Sequence, residues 1–128
     1  MTTRPRCVVV IDDDPSIREV AELSLSAVGG YETHSAGDGT EGVALARRVR
    51  PDAVLLDVMM PTLDGPTVLA RLRAVDVLRD VPVVFLTAKV GAQDIAALDG
   101  LGAAAVITKP FDPLELAHRL AAALGWDT

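Results

Sequence analysis

Three consecutive aspartates, Asp12-Asp13-Asp14, follow the apolar run Cys7-Val8-Val9-Val10-Ile11. Other short apolar runs also end in a polar group: Asp57 after Ala53–Leu56, Thr87 after Pro82–Leu86, and Thr108-Lys109 after Ala104–Ile107. Two carboxylates ~5 Å apart repel by roughly 3 kcal/mol at an effective dielectric of about 20. A chain that gathers Asp12, Asp13 and Asp57 therefore needs a cation among them. Hard oxygen donors in small number suit Mg²⁺, which keeps several of its waters. Softer metals would want Cys or His ligands nearby. The same cation would make an aspartate usable as a phosphoryl acceptor, because phosphoryl transfer rests on positioning and charge neutralisation. An aspartyl phosphate at Asp57 with Asp12 and Asp13 would carry about −4, and Mg²⁺ with Lys109 would return about +3. Thr87 and Lys109 would then each engage a phosphoryl oxygen.

Whether these groups meet depends on the elements that carry them. The run Cys7–Ile11 is β-branched almost throughout, as in a strand buried on both faces. A helix is expected from Pro15 to Val28, with Ile17, Val20, Ala21, Ser24 and Val28 on its inner side and Gly29-Gly30 ending it. A more polar strand over Tyr31–Ala36 and a helix over Asp38–Val49 follow, with Asp38 and Thr40 as candidate caps. Strands over Ala53–Leu56, Pro82–Leu86 and Ala104–Ile107 alternate with helices opened by Asp64-Gly65-Pro66, by Ala92 and by Asp112-Pro113. Five strands alternating with five helices predict an α/β fold, a parallel sheet with helices on both faces. The flavodoxin-like, doubly wound strand order 2-1-3-4-5 suits five strands, makes the polar second strand an edge and sets strands 1, 3, 4 and 5 side by side. Ligands of such sheets bind beyond the carboxyl ends of the strands, which is where Asp12, Asp13, Asp57, Thr87 and Lys109 fall.

Composition narrows the function classes. A length of 128 residues predicts one domain, with a core over about residues 6–124. A net charge of −6 and an aromatic share of 3% leave neither the clustered bases nor the stacking rings of a nucleic-acid surface. The single cysteine, Cys7, excludes an internal disulfide and a Cys-rich zinc site. No apolar run approaches the ~20 residues needed for membrane insertion. Aspartates follow the first apolar stretch at once, unlike a signal peptide. A cytoplasmic domain is the expectation. Cys7 reads as a buried strand residue, His34 and His118 as incidental, and Trp126 as a lid on the apolar end of the last helix.

Taken together, Val8-Val9-Val10-Ile11-Asp12-Asp13-Asp14-Pro15, Leu55-Leu56-Asp57-Val58-Met59-Met60-Pro61, Leu86-Thr87-Ala88 and Thr108-Lys109-Pro110-Phe111 resemble the response regulator receiver domain of bacterial two-component signalling. The resemblance spans nearly the whole chain. It implies that Asp57 accepts a phosphoryl group from a sensor histidine kinase or phosphotransfer protein. It implies that Asp12, Asp13, Asp57 and the backbone carbonyl of Met59 hold Mg²⁺, and that Thr87 and Lys109 bind the phosphoryl group. A cis peptide is expected at Lys109–Pro110, an X–Pro bond where that isomer is cheap. The resemblance also implies a binding module rather than an enzyme, signalling to a downstream protein target. No output segment follows in this sequence, so a stand-alone receiver is the expectation.

The chain departs from the family pattern at Val106, where an aromatic residue commonly stands three positions before the lysine; valine cannot make the same ring movement. Met59 and Lys89 occupy the positions that tune water access, and they imply slow self-hydrolysis. On the first helix, Pro15, Arg18 and Glu22 form a stripe expected to face a kinase. Three alternatives compete with the receiver reading. An aspartate-nucleophile phosphatase wants a second acid two residues after Asp57, where Met59 stands. A flavin or nucleotide carrier wants a Gly/Ser/Thr-rich loop where three aspartates stand. A non-phosphorylated scaffold of the same fold would have no need of the acidic set.

Overall fold

A computed structural model describes residues 4–88 and 92–126. Lys89 lies outside the described residues. The strands are β1 (Cys7–Ile11), β2 (Glu32–Ala36), β3 (Ala53–Asp57), β4 (Val83–Thr87) and β5 (Ala105–Thr108). The helices are α1 (Pro15–Ala27), α2 (Gly39–Val49), α3 (Gly65–Ala74), α4 (Ala92–Asp99) and α5 (Leu116–Leu124). The sheet is parallel, in the expected order β2-β1-β3-β4-β5.

Alternation along each strand divides the core in two. Val9, Ile11, Val54, Leu56, Val83 and Phe85 face one layer, packed with α2, α3 and Leu98 of α4. Val8, Val10, Leu55, Val84, Leu86 and Ile107 face the other, packed with α1 and α5. Every residue of β1, β3 and β4 is buried, which is why these segments read as continuous apolar runs rather than as alternating ones. The polar strand β2 is the edge, as expected.

Most helix starts follow the sequence signals. Asp14 accepts from the Ser16 amide, Asp38 from Glu41 and Asp64 from Thr67, each a side-chain N-cap. Gly30, at φ 71°, supplies the left-handed turn that lets the chain leave α1 for β2. Three expectations need correction. The α1 core face is Ala21, Ser24 and Leu25, whereas Val20 and Val28 are 39% and 41% exposed. Four-residue spacing sets Leu25 over Ala21, while Val20 is turned about 100° away. The last helix begins at Leu116 rather than at Asp112-Pro113, because the Asp112 carboxylate accepts from the Leu114 amide and closes a local turn first. A 3₁₀ turn at Asp76–Leu78, absent from the sequence reading, buries Leu78. Trp126 lies past α5, with its ring 5.4 Å from Tyr31 edge-on and the Arg6 guanidinium 4.6 Å above it.

Candidate metal and phosphoryl site

The parallel register brings the strand ends to one rim. Asp57 pairs with Leu86, so Thr87 extends one residue beyond it, and Thr87 pairs with Thr108. The Thr87 carbonyl accepts from the Lys109 amide at 2.8 Å, fixing the turn that carries the lysine. Lys109–Pro110 is cis. The Lys109 ammonium reaches back over the rim, 2.9 Å from Asp12 Oδ2 and 3.2 Å from Asp57 Oδ1.

The carboxylates are held by their own loops. Asp12 Oδ1 accepts from the Asp14 amide at 2.9 Å, and Asp57 Oδ1 accepts from the Met59 amide at 3.3 Å. Asp12, Asp57 and Thr87 are buried, while Asp13 is exposed at the opening. Met59 is 59% exposed and shares a cleft with Asp13, Met60, Pro61 and Asp64.

Electrostatics follow from this crowding. Burial, and then the Asp12 charge, push the Asp57 carboxyl up to about 6, although Lys109 pulls it down. Burial works against the Lys109 ammonium, yet Asp12 and Asp57 together outweigh it and hold that group above its ordinary range. Asp12, Asp13 and Asp57 each offer one oxygen, all within 4.8 Å of one another. Asp12 Oδ2 is buried and accepts no well-directed hydrogen bond, even though the ammonium is 2.9 Å away. A small divalent ion fits this donor set: it would give that oxygen a second positive partner beside Lys109 and oppose the excess negative charge.

Two contributors were misread or missed in the sequence. Arg18, expected on an exposed stripe, is half-buried, and its Nη1 donates to the Asp12 carbonyl at 2.8 Å. It therefore braces the acidic turn from α1. Gly65 opens α3 directly against the turn after Asp57: its amide donates to the Val58 carbonyl at 2.8 Å, and a Cβ there would lie 2.8 Å from the Asp57 carbonyl oxygen. The Asp64-Gly65-Pro66 signal marked the helix start but not this close approach. Val106 is half-buried, beside Phe85 in the ladder and packed on the α2/α3 core.

Residues 8–121 match the family model described as the response regulator receiver domain. The chain is 42% identical over 118 residues to the DNA-binding dual master transcriptional regulator RpaA of Synechocystis, covering 91% of this chain and 48% of that protein. The structure resembles chemotaxis protein CheY4 of Vibrio cholerae at a TM-score of 0.86 and 29% identity, covering 93% and 98% of the two chains. It also resembles the receiver domain of a sensor histidine kinase from Pseudomonas aeruginosa, solved with a magnesium ion coordinated in its active-site cleft. There the TM-score is 0.82 and the identity 31%, covering 94% of this chain and 98% of that one. The chain spans about half the length of the curated relatives it matches.

Proposed function

The chain belongs to the response regulator receiver domain family, and we propose that it accepts a phosphoryl group on Asp57, with Mg²⁺ held by Asp12, Asp13, Asp57 and the Met59 carbonyl. The observation that carries the reading is the trio of carboxylate oxygens within 4.8 Å, spanned on one side by the Lys109 ammonium. A carboxylate oxygen of Asp57 forms a bond to phosphorus as the bond to the donor, a phosphohistidine or an acyl phosphate, breaks. Mg²⁺, when bound, supplies charge neutralisation for the incoming phosphoryl oxygens. Lys109, already paired with Asp57, moves its interaction onto a phosphoryl oxygen, and the Thr87 hydroxyl donates to another.

The donor is a sensor histidine kinase or phosphotransfer protein. Leu23, 65% exposed on α1, and Leu114, 69% exposed, offer it an apolar contact, with Pro15 nearer the site. Arg18 braces Asp12 instead of forming part of a free stripe, so its replacement would impair metal binding as well as docking. The signal leaves through changed protein contacts in the cytoplasm. Val106 has no ring, so no ring swing transmits it. With Met59 shielding the phosphoryl group, self-hydrolysis is slow; a half-life of seconds in wild type would overturn that part of the reading.

The half-length match to DNA-binding regulators favours a second reading, in which this receiver precedes an output module; the mass of the natural polypeptide separates it from a stand-alone regulator. The direct test is incubation with acetyl phosphate followed by intact-mass measurement. One phosphate adds to wild type with Mg²⁺, and none adds without metal or to Asp57→Ala. Addition to Asp57→Ala at the wild-type rate would remove Asp57 from the role.

A further inference from the structure

The opposite end of the sheet holds a cluster that the phosphoryl chemistry does not use. Cys7 opens β1, Glu32 opens β2, and the two pair in the parallel ladder; two residues on, Val9 pairs with His34. Side chains two apart on a strand share a face, so thiol, carboxylate and imidazole project together from the edge of the sheet. Glu32 adjoins both of the others. Its Oε2 lies 2.8 Å from His34 Nε2, and Glu32 is paired with Cys7 in the ladder. One sulfur, one nitrogen and one oxygen lie within 4.8 Å of one another. Cys7 is buried, His34 half-buried and Glu32 exposed, so the sulfur forms the floor and the other two donors the open wall.

We propose that Cys7, Glu32 and His34 form a second metal site, distinct in chemistry from the acidic rim and suited to Zn²⁺. Thiolate, imidazole and carboxylate are the three donor types that Zn²⁺ takes, whereas Mg²⁺ takes oxygens. Three protein donors leave the fourth tetrahedral position to water, on the exposed side. A cysteine thiol is ordinarily protonated at neutral pH, so the metal enters by displacing a proton. The Cys7 S–H bond breaks, the sulfur–metal bond forms with the same electron pair, and the proton leaves to solvent. Thiolate and Glu32 together balance the two charges of the ion, which a half-buried site requires. Behind the sulfur, the Cys7 amide donates to Asp52 Oδ2 at 2.7 Å, fixing the ligand's backbone from the turn before β3. A metal here would clip the edge strand β2 to its neighbour β1.

Co²⁺ titration of the full chain, in excess Mg²⁺ to occupy the rim, tests the site. The expected result is one equivalent bound, with a thiolate-to-cobalt band in the near ultraviolet and tetrahedral visible bands, all bleached by Zn²⁺. Cys7→Ser abolishes the near-ultraviolet band. His34→Ala, at a half-exposed position where the fold is not at risk, weakens Zn²⁺ binding at least tenfold. Asp12→Asn leaves both unchanged. The proposal falls if no thiolate band develops, if His34→Ala binds Zn²⁺ as wild type does, or if the signal is competed by Mg²⁺ and lost with Asp12→Asn.

Discussion

At the carboxyl-terminal rim of the sheet, Asp12 and Asp57 are buried with one ammonium between them, and a buried carboxylate oxygen is left without a directed hydrogen bond. At the amino-terminal rim, Asp52 receives the Cys7 amide at 2.7 Å, and Arg6 sits 4.6 Å over the Trp126 ring. Outside the cluster of Cys7, Glu32 and His34, these groups of the second rim satisfy one another. The first keeps charges that repel, on strands that could have ended in apolar residues at less cost. Sites that must bind an external charge are built incomplete, and the cost falls on the stability of the free protein. That cost is tolerable because the rim rests on two well-filled core layers. The largest expected effect therefore comes from emptying one of them. Phe85→Ala, in the layer beneath Gly65, lowers stability by about 3–5 kcal/mol in urea denaturation. A loss below ~1 kcal/mol would mean that the layer does not support the rim.

The next effect has the opposite sign. Asp57→Asn keeps the shape of the side chain and removes a charge that Asp12 opposes. Without Mg²⁺ at pH 7 it raises stability by about 1–2 kcal/mol, a figure reduced for partial solvent screening. Excess Mg²⁺ reverses the order, because the wild type gains binding free energy that the variant lacks. Urea melts of both proteins with and without Mg²⁺ make the comparison. A variant less stable than wild type in the absence of metal would show that Lys109 already neutralises the site.

The sequence disclosed the rim better than its supports. Asp57 and Thr87 could be placed because each ends a run buried on both faces, and such runs are unmistakable in a parallel sheet. Arg18 was assigned to the wrong surface because its bond to the Asp12 carbonyl depends on how α1 leaves the acidic turn, which periodicity does not encode. The start of α5 was read too early because Asp112-Pro113 has the composition of a cap and makes a separate turn. The meeting of Cys7, Glu32 and His34 needed the register of β1 on β2, and no local pattern supplies that register.

Protons offer a graded way to probe the same rim. The Asp57 carboxyl titrates near 6 in the folded chain and in the ordinary range near 3.9 when unfolded. Between about pH 4 and 6 the folded state thus holds the proton more tightly, so stability without metal declines as pH rises through that window. Mg²⁺ competes with this proton. Its affinity is expected to fall by up to about tenfold per pH unit below 6, read by calorimetry. A flat profile from pH 7 to 5 would place the Asp57 carboxyl in the ordinary range.

Asp64 supplies the smallest and most discriminating test, since it is a carboxylate of the same rim held on opposite terms. It is exposed, it caps α3, and its Oδ1 accepts from the Thr67 amide at 2.9 Å. The Thr67 side chain, and then that amide, hold its carboxyl below the usual range, whereas Asp57 is pushed above it. Asp64→Ala is expected to lower stability by about 1 kcal/mol, the usual loss for an N-cap, and to do so equally with and without Mg²⁺. Asp57→Asn shifts stability upward and only while metal is absent. Opposite signs and opposite metal dependence in two aspartates of one rim would distinguish a charge kept for the helix from a charge kept for a ligand. If Asp64→Ala responded to Mg²⁺ as Asp57→Asn does, Asp64 would belong to the cation's surroundings, and the division between the two kinds of carboxylate would have to be drawn elsewhere.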